Sequence, residues 1–275
     1  MMKNITMGQY YPVDSWVHRL DPRTKILLTV AMIVAVFVVK TMVGYGLILG
    51  FMYLVSKLSN IPFKMLVKGI KPLKFILILT FILTLFFNTG TTMLVEWGII
   101  KISYEGLSTA VHYSLRLVFL VLGTSLMTLT TSPIALSDGI EMLLSPLKKI
   151  HFPAHELAMM MSIALRFIPT LMEEADKIMK AQMARGADFE SGNLLARAKA
   201  MVPLFVSAFR RAGDLAMAME SRCYHGGENR TRLRVLKITK NDWLAAAGVA
   251  ALILLIIAES HVTLPLWNMV KGLFA

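Results

Sequence analysis

Five stretches of this chain run for thirteen residues or more with almost no charge: residues 26–39, 42–56, 75–87, 107–131 and 243–258. Crossing the hydrocarbon of a bilayer takes about 20 mostly apolar residues, fewer when flanking lysines snorkel. The runs therefore predict a polytopic membrane protein. Lys40 separates the first two, which read as a tight antiparallel pair with Lys40 near the turn. The third extends backwards along the stem of Lys74. The fourth contains His112 and Arg116. The fifth is bounded by Asp242 and Glu259.

Charge between the runs predicts orientation. Residues 57–74 hold Lys57, Lys64, Lys68, Lys71 and Lys74 and no acid. Residues 88–106 hold only Glu96, Lys101 and Glu105, whereas residues 133–240 hold sixteen Lys/Arg against eleven Asp/Glu. Lys and Arg collect in cytoplasmic loops, so the N-terminus, the lysine loop and the long section are expected inside. The same rule accounts for the net charge of +12. A nucleic-acid partner is not expected, given 56% hydrophobic residues and a mean hydropathy of +0.63. The tail, residues 262–275, is short, apolar and interrupted by Pro265; Trp267 and Lys271 suit a headgroup boundary, so it is expected to be interfacial. A sixth crossing is the alternative. No cleavable leader is expected, because Asp14, Arg19, Asp21, Arg23 and Lys25 interrupt the first 25 residues. The single cysteine excludes an internal disulfide framework.

The expected organisation is an N-terminal cytoplasmic segment (1–25), four transmembrane helices (26–131), a cytoplasmic section (132–241), and a last transmembrane helix with its tail (242–275). The fold class is all-α. The cytoplasmic section forms a layer of amphipathic helices: Leu157, Met160, Met161, Ala164, Leu165, Ile168 and Leu171 follow helical spacing. Pro146, Pro153, Pro169 and Pro203 punctuate it, which predicts several helices at angles. Ten of the twenty methionines lie between Met142 and Met219, including Met159, Met160 and Met161. Such faces either fill gaps in a helical core or adapt to partners of different shape.

Two short strings resemble each other. Ala184-Arg185-Gly186 closes one helical pattern, and Ser221-Arg222-Cys223 closes a second, before Gly226-Gly227. Each sets an arginine between two small residues in an expected last helical turn. A cation there is favoured by the helix macrodipole, so an ordinary cap is one reading. The other is a guanidinium that enters an acidic groove and binds a carboxylate bidentately while its small neighbours permit close backbone approach.

Arg116 and His112 are four residues apart and share a helix face. An intramembrane charge is a functional candidate, but a tilted helix with its first turn in the interface would leave both wet. His151, His155 and Glu156 do not match a zinc-helix spacing, with Pro153 between the histidines, and no metal site is expected. No P-loop, nucleophile elbow or kinase signature occurs, so no catalytic activity of its own is expected.

With Gly8-Gln9-Tyr10, residues 12–28 (PVDSWVHRLDPRTKILL), above all Leu20-Asp21-Pro22-Arg23-Thr24-Lys25, and the paired small-Arg-small strings, the chain resembles the transmembrane T component of energy-coupling factor (ECF) transporters over nearly its whole length. The resemblance implies a four-part importer of vitamins or other micronutrients in the cell membrane. Two related ABC-type ATPase subunits, carrying ATP and Mg, would dock on Ala184, Arg185, Gly186, Ser221, Arg222 and Cys223. A small membrane S component, one of several exchangeable ones in many such systems, would bind the substrate and meet Met159, Met160 and Met161. No cofactor is expected on this chain. The rival reading, a self-contained secondary transporter, calls for broken helices and internal repeats, neither of which is evident.

Overall fold

The apolar runs fold as helices, and local chemistry marks where several of them begin. The computed structural model describes residues 10–87, 93–97, 100–146, 153–186, 201–226 and 236–273. Helix α1 (Pro22–Val38) starts on Asp21, whose carboxylate accepts the Arg23 N–H at 2.9 Å, with proline at the first helical position. Helix α2 (Met42–Leu58) starts on Thr41, whose hydroxyl accepts the Gly44 N–H at 3.2 Å. The lysine loop folds in part as a short helix α3 (Phe63–Lys68) and a 3-10 turn (Lys71–Leu73), leading into α4 (Lys74–Phe87). All five lysines point outward while Leu66 is buried, so the segment is amphipathic, which the charge count alone did not resolve.

A short antiparallel hairpin, β1 (Met93–Trp97) and β2 (Ile100–Ser103), precedes α5 (Tyr104–Thr130), whose cap Ser103 accepts the Gly106 N–H at 3.0 Å. The chain continues through α6 (Pro133–Leu144), α7 (Ala154–Ala184), α8 (Val202–Glu220) and α9 (Lys240–Leu273). Apart from that hairpin the described residues are helices and their connections, so the protein is an all-α membrane protein.

The structure divides into two compact units. In the first, whose described residues are 10–87, 93–97, 100–132 and 236–273, α5 packs against α1, α2, α3 and α4, and α9 packs against α1 and α2. The core interleaves Val36 and Val39, Ile48 and Met52, Leu66, Phe119 and Leu122, and Leu252 and Ile256. Gly69 admits α3 against α5: a Cβ there would stand 2.6 Å from the Ser125 hydroxyl. Among the described residues three segments are long and apolar enough to cross a membrane, Phe63–Phe87, Tyr104–Thr130 and Lys240–His261; α2 is a shorter apolar helix. Helix α4 buries no residue and leaves Phe75 and Phe87 74% and 82% exposed, as suits a helix bathed in lipid.

Helix α9 runs unbroken through Pro265 to Leu273, so the tail continues the last helix. A proline removes one hydrogen bond and crowds the preceding turn, which bends helices more readily than it ends them when the flanking residues are apolar.

The second unit contains α6, α7 and α8. Pro153 is the cap of α7 and Pro203 lies in the first turn of α8, at boundaries as expected. Pro169, expected to break the section, sits inside the single 31-residue helix α7. Among the described residues of this unit the buried apolar side chains are only Ala158 and Ala175. The stripe read from sequence as an apolar face is largely uncovered: Leu157, Met160, Met161 and Ile168 are exposed, as are Val202, Phe205, Val206 and Phe209 on α8.

Candidate functional site

Helices α7 and α8 end in the same way, and both ends are open. Helix α7 stops at Ala184 with Arg185 as its cap; the Arg185 N–H reaches the Gln182 carbonyl and the Gly186 N–H the Met183 carbonyl, each at 3.0 Å. Gly186 then takes a φ of +86°, in the left-handed region that ends helices. Helix α8 stops at Glu220 with Ser221 as its cap, and Arg222 donates its N–H to Met219 at 3.1 Å. Cys223 adopts a φ of +55°, so each arginine is followed by one left-handed residue, glycine in one copy and cysteine in the other. Both arginines stand at or just past the helix end, slightly beyond the last turn expected for them.

Ala184, Arg185, Gly186, Ser221, Arg222 and Cys223 are all exposed. Among the described residues neither guanidinium has a carboxylate partner. Within the same unit, Arg211 Nη2 lies 2.6 Å from Glu174 Oε2, an ion pair by distance that joins α8 to α7. His155 Nδ1 lies 2.9 Å from Glu141 Oε1 and joins α7 to α6. Neither link is visible in the sequence, because each depends on which faces of separate helices meet. His151 lies outside the described residues; Met159 is half-buried, and Met160 and Met161 are 54% and 44% exposed. Among the described residues no cluster of His, Cys, Asp and Glu could hold a metal ion.

The segment from Leu20 to Lys25 does different work in the first unit. Asp21 forms a bidentate pair with Arg23 (3.1 and 2.8 Å), and Arg23 Nη2 also reaches the Leu236 carbonyl at 3.2 Å. The buried Asp242 carboxylate, in the first turn of α9, accepts the Asp21 N–H at 2.8 Å and both the N–H and hydroxyl of Thr239 at 2.7 Å. Lys25 Nζ donates to the carbonyls of Thr130 (2.9 Å) and His18 (3.1 Å), which ties α1 to the end of α5. His18 Nε2 faces the Tyr11 carbonyl at 3.1 Å and so carries the ring proton, leaving Nδ1 to accept from Ser15 Oγ at 2.7 Å. Burial, aided by the nearby Lys25 charge, pushes the His18 pKa below its ordinary 6.5. These residues clamp the beginning of the first unit to its last helix; Asp242 had read only as the edge of a span.

His112 and Arg116 are held by the fold. His112 Nδ1 lies 2.8 Å from the Ser108 carbonyl and Nε2 3.2 Å from that of Lys40, at the α1–α2 turn. The Arg116 guanidinium sits 5.2 Å from the centre of the Phe37 ring and 5.5 Å from that of Tyr113, a double cation–π arrangement. Since Phe37 is one residue from the end of α1, Arg116 stands near the level where that helix ends.

The family described as Cobalt transport protein, CbiQ, matches residues 14–233. A Thermosediminibacter oceani protein named energy-coupling factor transporter transmembrane protein EcfT is 58% identical over 256 residues, covering 91% of this chain and 96% of its own. Proteins of the same name from Clostridium kluyveri (52% identical; 94% and 97% covered) and Bacillus subtilis (50%; 88% and 93%) are similar along nearly their full lengths.

Proposed function

Because the chain belongs to the family of energy-coupling factor transporter transmembrane proteins, we propose that it is the coupling subunit through which two related ATPases drive a separate substrate-binding membrane protein. The observation that carries this reading is the matched pair of helix ends, each an exposed arginine flanked by small residues and followed by a left-handed turn. Such an end offers a fork of donors to an acidic groove and no bulk to keep the backbones apart. Two of them on helices joined by Arg211–Glu174 suit a pair of similar grooves. The ATPases, with their ATP and Mg, supply the energy; the N-terminus, the lysine loop and the two arginine ends face the cytoplasm.

Closure of the ATPases draws the two anchors together, and α7 and α8 carry the motion to the substrate-binding subunit. The uncovered apolar faces, with Met160 and Met161 on α7 and Phe205 and Phe209 on α8, are the surface that subunit meets. The scant buried apolar content among the unit's described residues supports this, since helices with so little core are completed by partners. The test is co-purification of the tagged chain with its ATPases from native membranes. Arg185→Glu/Arg222→Glu is expected to leave the chain in the membrane and lose both ATPases; full recovery of both would overturn the reading.

A further inference from the structure

The first unit contains an apolar cavity of about 290 Å³ that its own side chains do not fill. It lies among α1, α2, α5 and α9, and its shape follows from how two of these helices diverge. Helices α2 and α9 meet at one end, where Thr41 donates to Glu259 at 2.6 Å and Ile48 and Ile256 are buried in the core. Toward the other end the cavity separates them, lined by Leu54 and Leu58 on α2 and by Leu244 and Gly248 on α9. Leu54, Leu58 and Leu244 are 53%, 47% and 63% exposed, so the wedge opens sideways between the two helices. Trp16 and Leu20 contribute to its lining, and Lys25, its one charged lining group, spends its ammonium on the Thr130 and His18 carbonyls.

An apolar void of this size holds no ordered water, and its walls forgo dispersion contacts on one side. Its mouth lies between two apolar helices, so the molecule at hand to fill it is lipid. Exposed Lys57 stands on α2 between the lining residues Val55 and Leu58, and exposed Lys240 stands one turn before Leu244 on α9, with exposed Lys237 just ahead of it in sequence. Ammonium groups at that height meet headgroup phosphates. We propose that the wedge between α2 and α9 is a binding site for an anionic phospholipid, with one acyl chain in the cavity and its headgroup held by Lys57 and Lys240. The lipid completes the packing of the unit and holds the clamp around Asp21 and Asp242 against α1. The inference stands independently of the ATPase reading, since it uses only the first unit.

Gly248 provides the test, because a Cβ there would meet nothing within 4 Å and a larger side chain can occupy the wedge without displacing the backbone. The full chain is placed in nanodiscs of phosphatidylcholine and phosphatidylglycerol with a trace of phosphatidylglycerol bearing a photoreactive group on its acyl chain, and adducts are mapped. Labelling is expected to concentrate on residues 51–58 and 244–249 and to be competed better by phosphatidylglycerol than by phosphatidylcholine. Gly248→Leu should lower it about tenfold, while Lys57→Gln/Lys240→Gln should remove about a tenfold preference for the anionic lipid and leave labelling by acyl chains in place. Labelling of α4 should be unchanged in every variant, which reports an intact fold. Labelling no denser in the wedge than on α4, or indifferent to Gly248→Leu, would overturn the proposal. So would a protein adduct at Leu54 or Leu244 when photoreactive residues there are activated in native membranes.

Discussion

The Asp242 carboxylate accepts the backbone N–H of Asp21 at 2.8 Å across 221 positions of sequence, and this bond closes the first unit on itself. Its other acceptor sites are filled by Thr239, so the buried charge is compensated by hydrogen bonds rather than by a direct ion pair. Asp242→Asn replaces an acceptor by a donor facing donors, and hydrogen bonds to a charged group are worth about 1.5–3 kcal/mol each. A clear fall in the melting temperature of the purified protein is expected. Asp14→Asn, by contrast, removes the exposed Arg19 pair and only the smallest of the influences on His18, and should be nearly silent.

His18 makes the same region sensitive to acid. Its folded pKa lies below the ordinary 6.5, so the unfolded chain takes up the proton first. The stability it contributes is present above pH 6.5 and is lost as pH falls through that value toward the folded pKa. Melting temperatures measured across this window should decline toward acid in the wild type and decline less in His18→Gln. Equal slopes would show that His18 is not the responsive group.

The left-handed turns after the two arginines differ in one respect that can be measured. Cysteine at φ +55° bears a steric cost that glycine does not, about 1–2 kcal/mol for a side chain in that region. Cys223→Gly is therefore expected to preserve or improve assembly with the ATPases, and Cys223→Val, β-branched, to weaken it. Gly186→Val should weaken it likewise. Co-purification yields of the three variants decide the point.

Arg211 and Glu174 join the two arginine-bearing helices at 2.6 Å, but Arg211 is 40% exposed, so the pair is worth at most about 1 kcal/mol in stability. Its expected role is mechanical. Glu174→Gln should leave the chain folded and bound to its ATPases while lowering the uptake achieved per ATP hydrolysed, read from transport and hydrolysis in the same vesicles. Restoration of coupling by a charge-swapped pair, Glu174→Arg/Arg211→Glu, would tie the effect to this contact.

The parts legible in the sequence were those written locally. The apolar runs appear as helices, four of them within a few residues of their expected bounds and the fifth continuing past 258 to Leu273, and Asp21, Thr41 and Ser103 stand at helix starts where short polar side chains belong. The two arginine strings were recognisable because small-Arg-small is a local pattern, and their helix-end setting follows from it. What was hidden depends on tertiary context. Asp242 looked like a span boundary until Asp21 and Thr239 were brought to it. Pro169 and Pro265 looked like breaks, yet each lies within a continuous helix, which a proline can bend without ending. The α2–α9 wedge has no sequence signature, since a cavity is a failure of four helices to fill a common space.

The central claim is that Arg185 and Arg222 carry the force of ATP hydrolysis into the membrane. Its most direct measurement is ATP-dependent substrate uptake by the assembled transporter in proteoliposomes, comparing wild type with Arg185→Glu, Arg222→Glu and the double variant. Each single reversal is expected to reduce uptake and the double to abolish it, with the chain still inserted. Wild-type uptake driven by ATP in the double variant would contradict the account.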